Sequence, residues 1–179
     1  MSRSNPEKIK PQSAQEVALI YCEGKKTEQA LLKRFRTLYS VKTGLSARIY
    51  PGIGGAPLSM VQKALRVPGA FNQRVVFCDG DSGSSELKKA QALASSQNVF
   101  LIVNRPCIEA VILAILSPQK DNFSSKKTKE LKTLLTTLLN GTDLALFLQK
   151  KMTRKQIEAQ RKTISSLNAI LSLLENQGK

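Results

Sequence analysis

Short apolar runs alternate with helical stripes over the first two thirds of the chain. Val17-Ala18-Leu19-Ile20-Tyr21-Cys22 is continuously apolar, the length and composition of a strand buried on both faces. From Thr27, a candidate N-cap, the period changes. Leu31, Leu32, Phe35, Leu38 and Tyr39 recur at helical spacing, with Lys33, Arg34 and Arg36 between them. Ala47 to Tyr50 offers a second strand, closed by Pro51-Gly52 and Gly54-Gly55, and Leu58 to Leu65 reads as a helix stopped near Pro68-Gly69. Arg74 to Cys78 is a third strand, ending at Asp79-Gly80-Asp81. Ser84 or Ser85 then caps a helix through about Ala94. Asn98 to Val103 is a fourth strand. It ends at Asn104-Arg105-Pro106, and Pro106 suits the first turn of a helix over Cys107 to Leu116. Strict β-α alternation with right-handed crossovers predicts an α/β fold, a parallel sheet of about four strands flanked by helices.

From Lys126 onward strand signals disappear. Leu131, Leu134, Leu135, Leu138 and Leu139 make one stripe, terminated by Asn140-Gly141. A short helix is predicted from Leu144 to Lys150. A longer one runs from Thr153 to about Leu174, with Ile164, Leu167, Leu171 and Leu174 as its buried stripe. The expected organisation is a flexible arm at 1–15, an α/β domain at 16–118, and a basic helical extension at 119–179 packed on the sheet.

Charge narrows the field of partners. With 28 Lys+Arg against 13 Asp+Glu the 179-residue chain carries +15, and its pI is near 10.0. A basic excess of this size points to nucleic acid, with anionic lipid a weaker alternative. It is not a detachable tail: residues 1–118 hold 16 basic and 8 acidic groups, residues 119–179 hold 12 and 5. Lys150, Lys151, Arg154 and Lys155 read as one helical patch suited to phosphates. The competing reading is a solvated face on which Glu158 pairs with Arg154 or Lys162. Aromatics are only 5%, so base stacking is not the obvious mode of contact.

Absences exclude whole classes of chemistry. The chain has no His, which removes Ser-His and Cys-His hydrolases and any His-containing zinc site. No apolar run reaches the roughly 18–20 residues of a membrane span, so no membrane association through a spanning helix is expected. The polar start lacks the apolar segment of a secretory signal, and three Cys without paired spacing fit a reducing cytosol.

The acids are placed with a pattern. Glu23 follows the first strand, Asp79 and Asp81 the third, and Glu109 comes just after the fourth. Those carboxyl ends are where open α/β sheets bind ligands. Converging carboxylates repel one another unless a cation compensates, and all-oxygen ligands suit Mg²⁺ or Mn²⁺. Gly24 and Gly80 would leave room there for a phosphate backbone. Taken singly, Glu23-Gly24 also reads as an ordinary strand-to-turn boundary, and Asp79-Gly80-Asp81 as a turn with Asx-type hydrogen bonds. Glu109, on an apolar helix, needs a partner in either reading.

Tyr21-Cys22-Glu23-Gly24-Lys25-Lys26-Thr27-Glu28, followed by Phe77-Cys78-Asp79-Gly80-Asp81, resembles the E-G…D-x-D pattern of the Toprim domain. That domain occurs in topoisomerases, bacterial primases, recombination mediators and the overcoming-lysogenization-defect nucleases. The C-E-G-x-x-T-E opening, Gly54-Gly55-x-Pro57, and Asn104-x-Pro106-x-x-Glu109 more narrowly resemble the RloB-like family of prokaryotic defence proteins. The resemblance covers about residues 16–118. It departs in the serine- and glycine-rich stretch after Asp81 and in a tail without His.

The resemblance implies that Asp79 and Asp81 hold Mg²⁺ (or Mn²⁺), with Glu109 a further ligand. Glu23 would act as acid/base group or as ligand of a second ion. Lys25, Lys26 and Arg105 would flank the crevice, with Lys25 among the catalytic groups, and Ser82 could assist a second metal. The activity implied is a metal-dependent nuclease on RNA, such as tRNA, or on DNA, in cytoplasmic antiviral defence or abortive infection, with an ATPase as a possible partner. A non-catalytic nucleic-acid-binding Toprim module is the alternative, and nucleotidyl transfer of the primase type a weaker one, for no Walker-type loop is present.

Overall fold

A computed structural model describes residues 17–40, 46–80, 83–118 and 123–175. The arm assigned to residues 1–15 lies outside them. Four strands, β1 (Val17–Cys22), β2 (Ser46–Pro51), β3 (Gln73–Asp79) and β4 (Val99–Asn104), form one all-parallel sheet in the order β2-β1-β3-β4. The continuous apolar run of β1 is explained by its central place, buried from Ala18 to Cys22. The edge strands β2 and β4 alternate between buried and exposed positions instead.

Helices α1 (Thr27–Tyr39), α2 (Pro57–Arg66), α3 (Ser84–Ser96) and α4 (Ile108–Leu116) follow the strands in turn. The chain moves from β1 outward to β2, then back across to β3 and β4. Right-handed crossovers therefore put α1 on one face and α2 and α3 on the other. The two cores match this split: Leu31, Leu32 and Phe35 of α1 pack with α4 on one side, Met60, Val61 and Ala90 of α2 and α3 on the other. The reversal of direction between β1 and β3 opens a crevice at their carboxyl ends.

Helix α4 is apolar all round and almost wholly buried, so a second layer must cover its outer side. Helices α5 (Thr128–Leu139), α6 (Leu144–Lys151), α7 (Arg154–Arg161) and α8 (Ser165–Glu175), led in by a 3₁₀ turn at Phe123–Ser125, supply it. Leu131, Leu148, Ile157 and Leu171 join the same core as α1 and α4. Each such side chain contributes about 1.5–3 kcal/mol on burial. Polar ties add to this. The Arg34 guanidinium donates to the Met152 carbonyl at 3.1 and 2.7 Å, and Arg154 stacks on the Tyr39 ring at 4.6 Å. The whole is an α/β fold with a helical extension, consistent with a Toprim-like architecture.

Several local expectations are corrected. The helix predicted from Thr153 to Leu174 is two helices. Thr163 hydrogen-bonds the Gln160 carbonyl through both its N–H (3.1 Å) and its hydroxyl (2.9 Å), and the Ile164 N–H reaches the same carbonyl. The i→i−3 bond at Thr163 tightens the last turn of α7, and the chain leaves the helix at 162–164 before α8 begins at Ser165. Lys26, not Thr27, is the N-cap of α1, and Gly83 precedes α3, which starts at Ser84. Pro106 lies before the N-cap Cys107 of α4, across a cis Arg105–Pro106 peptide, so it is not in the first turn. Among the described residues, no helix is long and apolar enough to cross a membrane.

Candidate metal centre

The β1 and β3 ends deliver the first two carboxylates. β1 stops with Cys22 opposite Phe77, two residues short of Asp79, so Glu23 leaves the sheet beside the end of β3. The turn after Glu23 is pinned by backbone bonds from Gly52 to the Cys22 carbonyl (2.7 Å) and from Gly54 to the Glu23 carbonyl (3.0 Å). It leads straight into α1, whose first turn carries Glu28. One carboxylate oxygen from each of Glu23, Glu28 and Asp79 lies within 4.8 Å of the other two.

Both glycines serve the protein's own chain. A Cβ on Gly24 would stand 2.5 Å from Glu28 Oε2, so this glycine leaves space for the Glu28 carboxylate. A Cβ on Gly80 would stand 3.0 Å from the Asn104 carbonyl oxygen and 2.9 Å from Arg105 Cγ. The Gly80 N–H in fact donates to that carbonyl at 2.8 Å. The room expected here for a phosphate is thus filled from within.

Glu109, from α4, is not one of the three gathered carboxylates but stands near enough for its charge to act on Asp79 and Glu28. Asp79 Oδ1 accepts the Ile108 N–H at 2.9 Å, which fixes the start of α4 against the end of β3. Glu109 is only 6% exposed, and its Oε2 has no hydrogen-bond partner. Nearby, the fully buried Asn104 donates to the Cys78 carbonyl at 3.2 Å while its own Oδ1 lacks a partner. Two orphaned oxygens so close to three gathered carboxylates are unusual in a folded interior.

The electrostatics follow from this crowding. Burial first, then the charges of Glu109, Glu23 and Glu28, push the Asp79 carboxyl up to about 8, against the opposing Ile108 N–H. Burial also raises Glu28; a backbone hydrogen bond opposes this, Glu23 and Glu109 add to it, and Lys132 again opposes. The Cys107 thiol, buried and hydrogen-bonded to Glu109, is pushed up to about 12. The three gathered donors, from Glu23, Glu28 and Asp79, are all oxygens. They fit a hard divalent cation, Mg²⁺ or Mn²⁺, which would use the orphaned Glu109 oxygen and reverse the mutual repulsion.

The other sequence-assigned residues divide. Asp81 and Ser82 lie outside the described residues. Lys25 and Lys26 are exposed and line a cleft that has Glu109 in its wall. Arg105 does not line that cleft; it lines a smaller one of about 210 Å³ with Gln160 and Thr163, because α4 stands between the two. The Lys150–Lys155 patch is not one helical face. Met152 and Thr153 separate α6 from α7, and Thr153 caps α7 with its side chain. Arg154 is engaged by Tyr39 and by Glu175 at 3.4 Å, while Glu158 pairs with Arg161 at 3.5 Å. Tyr39 closes α1 eleven residues beyond Glu28, roughly 16 Å away at helical rise.

Two contributors escape a reading by linear position. Glu28 falls within a helix, not at a strand end, and only its place in the E-G-x-x-T-E string marks it. Lys132 carries no local signal at all. The chain matches no protein-family model, and searches of curated proteins and of solved structures find no match either.

Proposed function

We propose that this protein is a metal-dependent phosphodiesterase, a nuclease acting on RNA or DNA. The observation that carries the reading is the meeting of Glu23, Glu28 and Asp79 within 4.8 Å at the switch point of a parallel sheet, with the orphaned Glu109 oxygen behind them. Glu23, Glu28, Asp79 and Glu109 would hold the cation, which when bound supplies electrophilic polarisation of a phosphoryl oxygen. Lys25 and Lys26 follow Glu23 in the β1–α1 turn and line a cleft with Glu109 in its wall, where they would bind and orient the phosphodiester and offset charge as it develops. The Ile108 N–H holds Asp79 in position. A net charge of +15 provides long-range attraction for a polyanion.

A role in prokaryotic antiviral defence, a cytoplasmic setting and an ATPase partner rest on the RloB-like resemblance and belong to this proposal only through it. The test is cleavage of structured RNA and of DNA with Mg²⁺ or Mn²⁺, comparing wild type with Glu23→Ala, Glu28→Ala and Asp79→Ala. Metal-dependent cleavage lost in all three variants supports the reading. Equal cleavage in all four proteins overturns it, and binding without turnover points to a non-catalytic nucleic-acid module.

A further inference from the structure

A cleft of about 700 Å³ with Glu109 in its wall lies between the start of α1, α5 and the start of α6. Its rim carries Lys25 and Lys26 from the β1–α1 turn, Lys33 from α1, and Lys132 from the helical extension; all four are exposed. None of them takes part in the ion pairs found among the described residues. Two acids line the cleft with them, and Lys132 also acts on the Glu28 carboxyl. Asp143 is committed to the N-terminus of α6, where it accepts the Leu146 N–H at 3.1 Å. Glu109 is the buried group whose Oε2 lacks a partner. The rim is thus rich in cations that form no ion pair among the described residues, with the Glu109 carboxylate recessed in the wall.

We infer that this cleft receives an unpaired stretch of nucleic acid, with Lys25, Lys26, Lys33 and Lys132 against successive backbone phosphates. The choice of polyanion rests on the phosphodiesterase reading above. Size decides the strand state. The volume lies within the roughly 300–1,000 Å³ of small-ligand pockets, which suits a few nucleotides of one strand. A stiff duplex carries its phosphates on the outside of a broad rod, whereas Glu109, only 6% exposed, lies recessed in the wall of the cleft. No aromatic side chain lines the cleft, so the contacts are to the backbone and tolerate any base sequence. The extension is then one wall of the binding track. Lys150, Lys151, Arg154 and Lys155 do not line this cleft.

The test is fluorescence anisotropy in EDTA with the full chain and labelled oligonucleotides of mixed sequence: single-stranded RNA, single-stranded DNA, and the same sequences as duplexes. The Lys33→Glu/Lys132→Glu double variant is compared with wild type, with Lys150→Glu/Lys155→Glu, and with Lys132→Arg, which keeps the charge. Single strands are expected to bind the cleft variant roughly tenfold or more weakly, with the slope of log affinity against log salt shallower by about 1.4, the share of two phosphates. Lys132→Arg and the Lys150/Lys155 variant should stay near wild type. Unchanged binding by the cleft variant, loss in the Lys150/Lys155 variant instead, or duplex bound as tightly as single strand would each overturn the inference. These readouts need no metal, so a failure of wild type to cleave would overturn the phosphodiesterase reading alone.

Discussion

Asp79 at the end of β3 and Ile108 in the first turn of α4 are joined by a 2.9 Å hydrogen bond from the Ile108 N–H to Oδ1. The bond uses one of the N–H groups that a helix start leaves without an intrahelical partner. It also brings Glu109, the next residue, to bear on Asp79, whose carboxyl is raised by burial and then by that neighbouring charge. This contact therefore fixes the geometry of Asp79 while opposing the strain that burial and the neighbouring charges impose.

That strain has a sign in pH. Asp79 ordinarily titrates near 3.8 and in the fold near about 8, so the native state holds more protons than the unfolded chain between those values. Its contribution is fully present below about pH 4 and is lost as pH rises toward about 8. Thermal melts of wild type and Asp79→Asn across this window should diverge, the variant gaining relative stability as pH rises. Mg²⁺ should raise the wild-type melting temperature more at pH 8 than at pH 6. A difference between the two proteins that does not change with pH would contradict the raised value.

Glu28→Ala should behave like Asp79→Ala and not like a surface change. Cleavage should fall by roughly 100-fold or more, as when a group stabilising charge at a reacting centre is removed. The rise in melting temperature with Mg²⁺ should shrink as well. Steady-state cleavage and a metal titration followed by thermal melting check the two effects separately.

Gly80→Ala should destabilise the fold by about 1–3 kcal/mol, because its Cβ would press on the Asn104 carbonyl, Arg105 Cγ and Val103 Cγ1 at about 3 Å. Gly83→Ala is the control. Its Cβ would meet nothing within 4 Å, so only a weaker N-cap remains, costing below about 1 kcal/mol. Urea unfolding of both variants decides whether Gly80 is there for internal packing.

The end of the extension is held by Arg161, which pairs with Glu175 Oε2 at 2.7 Å and donates to Asn168 Oδ1 at 2.9 Å and Ser172 Oγ at 3.0 Å. Arg161→Ala breaks all of these and leaves the partly buried Glu175 with only the longer Arg154 contact. A loss of about 1–2 kcal/mol is expected, since hydrogen bonds to charged groups are the stronger kind. Chemical denaturation measures it, and hydrogen exchange should show α8 loosening before the sheet.

Most of the secondary structure was legible in the linear pattern. A strand buried on both faces must be apolar throughout, and a helix against a sheet must repeat its apolar positions at 3.6 residues. Val17–Cys22 and the α1 stripe therefore announce themselves. The acids at strand ends were legible for the same reason, because a run that stops abruptly in a carboxylate marks where the chain leaves the sheet. The break at 162–164 was not, since the apolar spacing continues across it and no Gly or Pro marks it in the sequence.

By itself, then, the amino-acid order determined the β-α alternation, the positive charge and the placing of Glu23 and Asp79 at strand ends. Only the tertiary structure decided that Glu28 joins them, that Lys132 crosses from the extension to the same cleft, and that Arg105 faces a different one. The reason is geometric. Local periodicity is written into neighbouring residues, whereas the meeting of side chains from separate elements depends on sheet order, register and the angle at which helices pack. Those are set by the burial of the whole core.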